Sequence, residues 1–267
     1  MYNQRTPSNR IPSRTTPRRG ASNGLQMRLI IGLVVAGFAF FSFLSKREVN
    51  PTTGEVQYIS LNREQEIQMG LQAVPQMVQQ FGGLDPDPEA QAMLDIVGER
   101  LVRNSYAVRS EYPFEFTLLA DEQTINAFAL PGGPVFITAA LFNQLETEGQ
   151  LAGVLGHEIG HVIARHGAQR IAKQELTEGL TGAVVMAACD GGSSCQGTAR
   201  MAQMVGNMVN MRYGREDELE SDRIGLEIML EAGYNPASMI RVMEILAEAS
   251  GGPRQPEIFS THPDPGN

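Results

Sequence analysis

From Leu151 to Ala164 the chain reads LAGVLGHEIGHVIA, and the only polar side chains in this stretch are His157, Glu158 and His161. A helix that is apolar on every side must be buried nearly all round. Three ionisable groups inside such a helix are costly unless something pairs with them. On a helix, residues four apart share a face, so both imidazoles of the H-E-x-x-H segment can reach one metal ion. Glu158 then sits beside the metal, where it can take a proton from a bound water. Zinc suits this chemistry because it lowers the pKa of such a water to about 7. The rival reading is a core helix whose histidines find ordinary hydrogen-bond partners.

A catalytic zinc site needs three protein ligands and an open position. Among the downstream acids, Glu218 and Asp222 in REDELESDRIG are four apart and share a helix face. That face continues through Ser221, Gly225, Met229 and Ala232, mostly small residues that permit close approach of another helix, such as the one carrying His157. Glu218 as third ligand, with Asp222 accepting the N–H of a ligand histidine, would complete the site. The plainer alternative is a solvated helix start in which Glu216, Asp217 and Glu218 favour the N-terminal dipole. Spacing alone leaves both open.

The net charge of -9 argues against nucleic acid as the main partner, but it hides an asymmetry. Met1 to Arg47 holds eight basic residues and no acidic one, leaving 13 Lys and Arg against all 30 acids in the remainder. Residues 1–24 are rich in Arg, Ser, Thr, Asn and Pro and read as a disordered basic tail. Leu29–Leu44 is apolar except for Ser42, and it reaches the roughly 20 residues of a membrane span if it begins at Leu25. Residues 25–45 are therefore expected to be a transmembrane anchor, with the basic tail in the cytoplasm and the acidic body in the periplasm. A cleaved signal peptide is the rival, although Phe43-Leu44-Ser45-Lys46 is a poor cleavage site. An organelle transit peptide, and with it an organelle inner membrane, ranks behind.

The remainder divides into a linker, 46–61, and one domain, 62–267. Helices are expected at 62–81 and 87–105, a short strand at Phe114–Leu119, and two strands around the Pro131-Gly132-Gly133 turn in NAFALPGGPVFIT, 126–138. One long helical stretch is expected from Glu148 to Lys173, then helices at 176–188, 197–212, 215–232 and 236–249. The fold class is α+β, mostly helical, with one small sheet. With 42% hydrophobic and 19% charged residues, a packed core is expected.

Four segments together resemble the HtpX-like and CAAX-prenyl-endopeptidase-like membrane-associated zinc metallopeptidases. HEIGHVIARH, 157–166, is similar to the ligand helix of that family. ELESD, 218–222, resembles its E-x-x-x-D motif; the likeness implies that Glu218 is the third zinc ligand and that Asp222 supports a ligand histidine. NAFALPGGPVFIT resembles the segment before the ligand helix, and STHP, 260–263, a short His-Pro motif near the C-terminal end. The closest likeness is to the periplasmic branch concerned with outer-membrane protein quality control. The resemblance implies a zincin-like domain whose sheet has an edge strand bordering the cleft. In such peptidases the substrate adds to that strand. Val135, Phe136, Ile137 and Thr138 are the expected strand, with Asn126 and Ala127 near the cleft. It places His262 near the zinc, as an oxyanion-stabilising donor or as an extra ligand that closes the site at rest. The family usually continues with a further helix after the His-Pro motif. Here the sequence stops at Asn267, so either it is truncated or that helix is missing.

The resulting expectation is a zinc-dependent endopeptidase with one Zn2+ per chain, held by His157, His161 and Glu218. Glu158 activates the water, and the substrates are membrane-associated or misfolded envelope polypeptides. The alternative is a chaperone-like assembly factor whose zinc site is normally closed. His166 falls outside the motif spacing and reads as structural. Met201, Met204, Met208 and Met211 read as a core stripe. Cys189 and Cys195 bracket a Gly- and Ser-rich loop that could hold a disulfide in an oxidising space. Oligomeric state is not legible.

Overall fold

The computed structural model describes residues 21–188 and 213–250. The expected helix at 197–212, the Met stripe, Cys189, Cys195 and His262 lie outside the described residues. The apolar N-terminal run forms a single helix, α1 (Ala21–Leu44), which begins four residues before the expected start. Within it, Gln26–Leu44 is long and apolar enough to cross a membrane.

The expected linker carries structure. Arg47–Val49 (β1) and Val56–Tyr58 (β2) pair as an antiparallel hairpin. Its turn is built on Asn50, whose Oδ1 accepts from the backbone of Thr52 at 2.8 Å and Thr53 at 3.1 Å. The Asn50 amide also donates to the carbonyl of Ile163 at 2.7 Å. The hairpin is therefore fastened to a residue 113 positions along the chain, a tie that local sequence does not signal.

Two amphipathic helices follow, α2 (Arg63–Gln80) and α3 (Pro88–Arg103). The first opens with a capping box in which Asn62 and Gln65 satisfy each other's backbone N–H groups at 2.9 Å. The second has Asp87 as its cap and Pro88 in its first turn, where a missing N–H does no harm. After a short 3-10 turn, Tyr106–Ser110, comes a three-stranded sheet of β3 (Glu115–Leu119), β4 (Ala127–Ala129) and β5 (Pro134–Thr138).

The order in that sheet is β3-β5-β4, with β5 parallel to β3 and antiparallel to β4. The turn between β4 and β5 is the expected one. The position of β5 is not. Val135, Phe136, Ile137 and Thr138 lie in the central strand, buried throughout and hydrogen-bonded on both sides, so they cannot receive an added strand. A continuous apolar run suits a strand covered on both faces, whereas its neighbours are a tertiary property.

A one-turn helix, α4 (Ala139–Phe142), leads to α5 (Glu148–Ile163), which is buried from Gln150 onward as its composition requires. The expected continuous helix to Lys173 is broken at Ala164 and Arg165. Arg165 has φ of 59°, in the left-handed region, and a new helix, α6, runs from His166 to Ala188. Arg165 is held there by bonds to Glu66 Oε1 at 2.8 Å and to the Leu61 carbonyl at 2.8 Å, and by an ion pair with Glu48. Burial pushes the pKa of Glu66 up, against the pull of Arg165 and Tyr112.

The last described elements are α7 (Arg215–Glu231) and α8 (Ser238–Ser250). Helix α5 is the axis of the core. Leu151, Leu155, Ile159 and Ile163 pack with Leu94, Val97 and Leu101 of α3, Ile224 and Ile228 of α7, and Val242 and Leu246 of α8. A second cluster, including Met77, Phe81, Leu119 and Phe136, joins α2 to the sheet.

Candidate metal centre

Helices α5 and α7 cross at small residues. A Cβ placed on Gly160 would lie 2.9 Å from the carbonyl oxygen of Ser221, and one on Gly156 3.1 Å from that of Gly225. This close crossing carries Glu218 and Asp222 to the imidazoles, through the small-residue face legible in the sequence.

At the crossing, Nε2 of His157 and Nε2 of His161 are 3.0 Å apart. The Glu218 carboxylate oxygens lie 3.4 Å from the first and 3.6 Å from the second. All three donor atoms fall within 4.8 Å of one another, and all three residues are buried. Two imidazole nitrogens and one carboxylate are the donor types that bind zinc, and a tetrahedral ion with bonds of about 2.0–2.1 Å would hold its donors roughly 3.4 Å apart. The cluster therefore fits a metal ion on donor set and spacing.

Each imidazole is oriented from behind. Nδ1 of His157 lies 2.8 Å from Oδ1 of Asp222. Nδ1 of His161 lies 2.9 Å from Nδ1 of His166, whose Nε2 is 3.3 Å from Oε2 of Glu220. The proton assignment follows from the bonding. For His161 to offer Nε2 to a metal, its Nδ1–H must donate to His166, which then carries its own proton on Nε2 and donates it to Glu220. The hydroxyl of Ser221, 3.3 Å from His166 Nδ1, shares that acceptor. His166, which falls outside the motif spacing, is thus packed directly against the predicted ligand His161. Its place beside His161, 1% exposed, depends on the helix break at Arg165, which spacing cannot show.

Two further side chains complete the wall. Tyr213 stacks on His161 with ring centroids 3.9 Å apart, and the guanidinium carbon of Arg170 stands 3.7 Å from the centre of the Tyr213 ring. Burial raises the pKa of Tyr213 and keeps it a neutral phenol. Sequence reading missed both, since neither falls on the motif or its helical repeat.

Burial works against a charged His157. The carboxylates of Asp222, Glu218 and Glu158 outweigh it and raise its pKa to about 10 when no metal is present. Glu158 is 1% exposed, next to His157 on α5. Asn126, also fully buried, precedes β4, and among the described residues its side-chain amide has no hydrogen-bond partner. Its backbone N–H donates to Thr138 Oγ1 at 3.1 Å, which fixes where β4 begins. Among the described residues β4 is paired on one side only, and it packs on α5.

A mostly helical domain with a small sheet and a His-His-Glu cluster on crossed helices is the architecture of a metalloprotease domain. Peptidase family M48 matches residues 88–267, and the chain belongs to that family. It is 33% identical over 258 residues to the beta-barrel assembly-enhancing protease of Escherichia coli (strain K12), covering 90% of this chain and 50% of the relative. It is 28% identical over 253 residues to the human mitochondrial metalloendopeptidase OMA1, covering 90% of this chain and 48% of the relative. A putative beta-barrel assembly-enhancing protease of Vibrio cholerae is 32% identical over 222 residues, covering 80% of this chain and 45% of the relative. The chain spans about half the length of these curated relatives.

Proposed function

We propose that this chain is a zinc-dependent endopeptidase, anchored by α1, that hydrolyses peptide bonds in membrane-associated or misfolded envelope proteins. The observation that supports it most is the convergence of His157 Nε2, His161 Nε2 and the Glu218 carboxylate, with Glu158 adjacent on the same helix. Zinc bound there would supply a Lewis acid that polarises the scissile carbonyl and acidifies water. His157, held by Asp222, and His161, held by His166, would with Glu218 be the residues that hold the ion, each histidine through Nε2. Glu158 takes the proton of the attacking water and returns it to the leaving amine. Water is the nucleophile, so no covalent acyl-enzyme forms.

The substrate lies extended along the side of β4 that no described strand pairs with, adding a strand antiparallel to Ala127–Ala129. The Asn126 amide, at the start of that strand, offers a donor and an acceptor to the substrate backbone. His262 remains assigned to the site by its His-Pro motif alone. The basic tail stays in the cytoplasm and the domain faces the periplasm, as the charge on either side of α1 favours. The peptidase reading is supported by relatives named as a beta-barrel assembly-enhancing protease and as a mitochondrial metalloendopeptidase.

Chelation and repletion test the proposal. Full-length protein in detergent should cleave casein, lose cleavage on treatment with a chelator, and regain it with one equivalent of zinc. Cleavage that survives complete removal of metal would contradict it. One bound zinc without cleavage would favour the closed assembly factor.

A further inference from the structure

Helix α5 ends at Ile163, two residues past His161, and a helix leaves its last carbonyls without partners of its own. The β1–β2 hairpin supplies one. Asn50, 1% exposed, donates from Nδ2 to the Ile163 carbonyl at 2.7 Å. The next carbonyl, of Ala164, accepts from Nε2 of Gln169 at 3.0 Å, and the same amide reaches Oε1 of Gln57 on β2 at 3.4 Å. Arg165 then turns into the left-handed region, at a steric cost for a residue with a side chain. Such a conformation persists where its surroundings over-determine it. The hairpin provides part of that grip through Glu48, whose carboxylate pairs with the Arg165 guanidinium. Glu48 also accepts from Gln57 Nε2 at 3.4 Å. Asn50, Gln57 and Glu48 thus hold the turn at 163–165, and the residue that follows it is His166, whose Nδ1 lies 2.9 Å from Nδ1 of His161.

The hairpin is also fastened to the end of α1. Phe43 stacks on Tyr58 with ring centroids 4.8 Å apart, and the Ile59 N–H donates to the Lys46 carbonyl at 3.0 Å. We propose that the β1–β2 hairpin is a positioning element of the metal centre, with Asn50 and Glu48 as its positioning residues. They hold the turn at 163–165, the turn sets His166, and His166 fixes the ring of His161 that offers Nε2 to the ion. The segment that follows α1 is therefore coupled to a metal ligand, and displacing the hairpin loosens the metal without removing any ligand. The inference rests on the reading of His157, His161 and Glu218 as a zinc site.

Chelator competition with zinc, on full-length protein in detergent, tests this in Glu48→Ala, Glu48→Gln, Asn50→Asp and His166→Ala. The Glu48 side chain is 44% exposed, so its loss is compatible with folding, and circular dichroism checks each variant. Glu48→Ala should bind zinc about tenfold more weakly, the lower end of the effect of an outer partner of a metal ligand. Glu48→Gln, whose amide oxygen still accepts from Arg165, should recover most of that affinity. Asn50→Asp keeps an oxygen for the Thr52 and Thr53 N–H groups but offers no donor to the Ile163 carbonyl, and it should lose affinity to a similar extent. If Asn50→Asp does not fold, the Glu48 series carries the test. Added to His166→Ala, Glu48→Ala should weaken zinc little further, because the two act along one path. Glu48→Ala or a folded Asn50→Asp as tight as wild type would overturn the proposal and leave the zinc site standing. So would Glu48→Gln as weak as Glu48→Ala, or full additivity with His166→Ala. A folded wild type that binds no zinc would overturn both.

Discussion

Gly156 and Gly225 meet where α5 crosses α7, and a Cβ on Gly225 would stand 3.0 Å from the carbonyl carbon of Gly156 and 2.9 Å from the backbone nitrogen of His157. These atoms are backbone in a buried helix and cannot give way as a flexible side chain would. Gly225→Ala should therefore force the helices apart. The expected loss is about 1–3 kcal/mol of stability, typical of overpacking, together with weaker metal binding because Glu218 moves with α7. Urea unfolding and a chelator-competition titration on the same samples check both.

His166 should act on the metal through His161. His166→Ala removes the acceptor of the His161 Nδ1–H, 2.9 Å away. Loss of such an outer partner lowers metal affinity by about 10–100-fold. His166→Gln, whose amide oxygen can accept the same proton, should recover part of that affinity. Chelator competition reads this directly, and equal affinity in His166→Ala and wild type would show that the contact does not position His161.

The high pKa of His157 gives metal-free and metal-loaded protein opposite responses to pH. With its pKa raised to about 10 when metal is absent, His157 must release a proton to bind a metal. Apparent zinc affinity should rise about tenfold per pH unit between pH 6 and 9 for one displaced proton. The metal-free fold gains stability from the bound proton. That gain is complete below the unfolded value near 6.5 and is lost as pH rises toward 10. Thermal unfolding of chelator-treated protein should shift to lower temperature over that interval.

Arg165 is expected to matter for stability more than its position between two helices suggests. Its partner Glu66 is 1% exposed and also accepts from Tyr112 at 3.1 Å. Arg165→Ala leaves that carboxylate buried without its cation, a change that typically costs about 3–5 kcal/mol. Arg165→Gly would relieve the left-handed backbone yet remove the same cation, so it should rescue only a small part. Chemical denaturation of the three proteins separates the two effects.

What could be read in the sequence was what depends on spacing along one helix. The buried ligand helix, the H-E-x-x-H face, the small-residue face of α7 and the turn at Pro131-Gly132-Gly133 all follow from periodicity and turn chemistry. The misses depend on partners distant in sequence. Val135–Thr138 have the composition of a strand, but only the sheet order puts them at its centre. Arg165 has no turn-forming chemistry of its own, and Glu66 and Leu61, about a hundred residues earlier, hold it in a left-handed turn. That turn in turn brings His166 to His161. Strands of three residues, such as β1 and β2, are too short to show alternation.

The most direct test of the central claim is zinc content per chain measured beside casein cleavage, for full-length wild type, Glu158→Gln and Glu218→Ala. The account predicts one zinc per chain and cleavage in the wild type, one zinc and no cleavage in Glu158→Gln, and weakened zinc with no cleavage in Glu218→Ala. Retained cleavage in Glu158→Gln, or a folded wild type that binds no zinc, would contradict it.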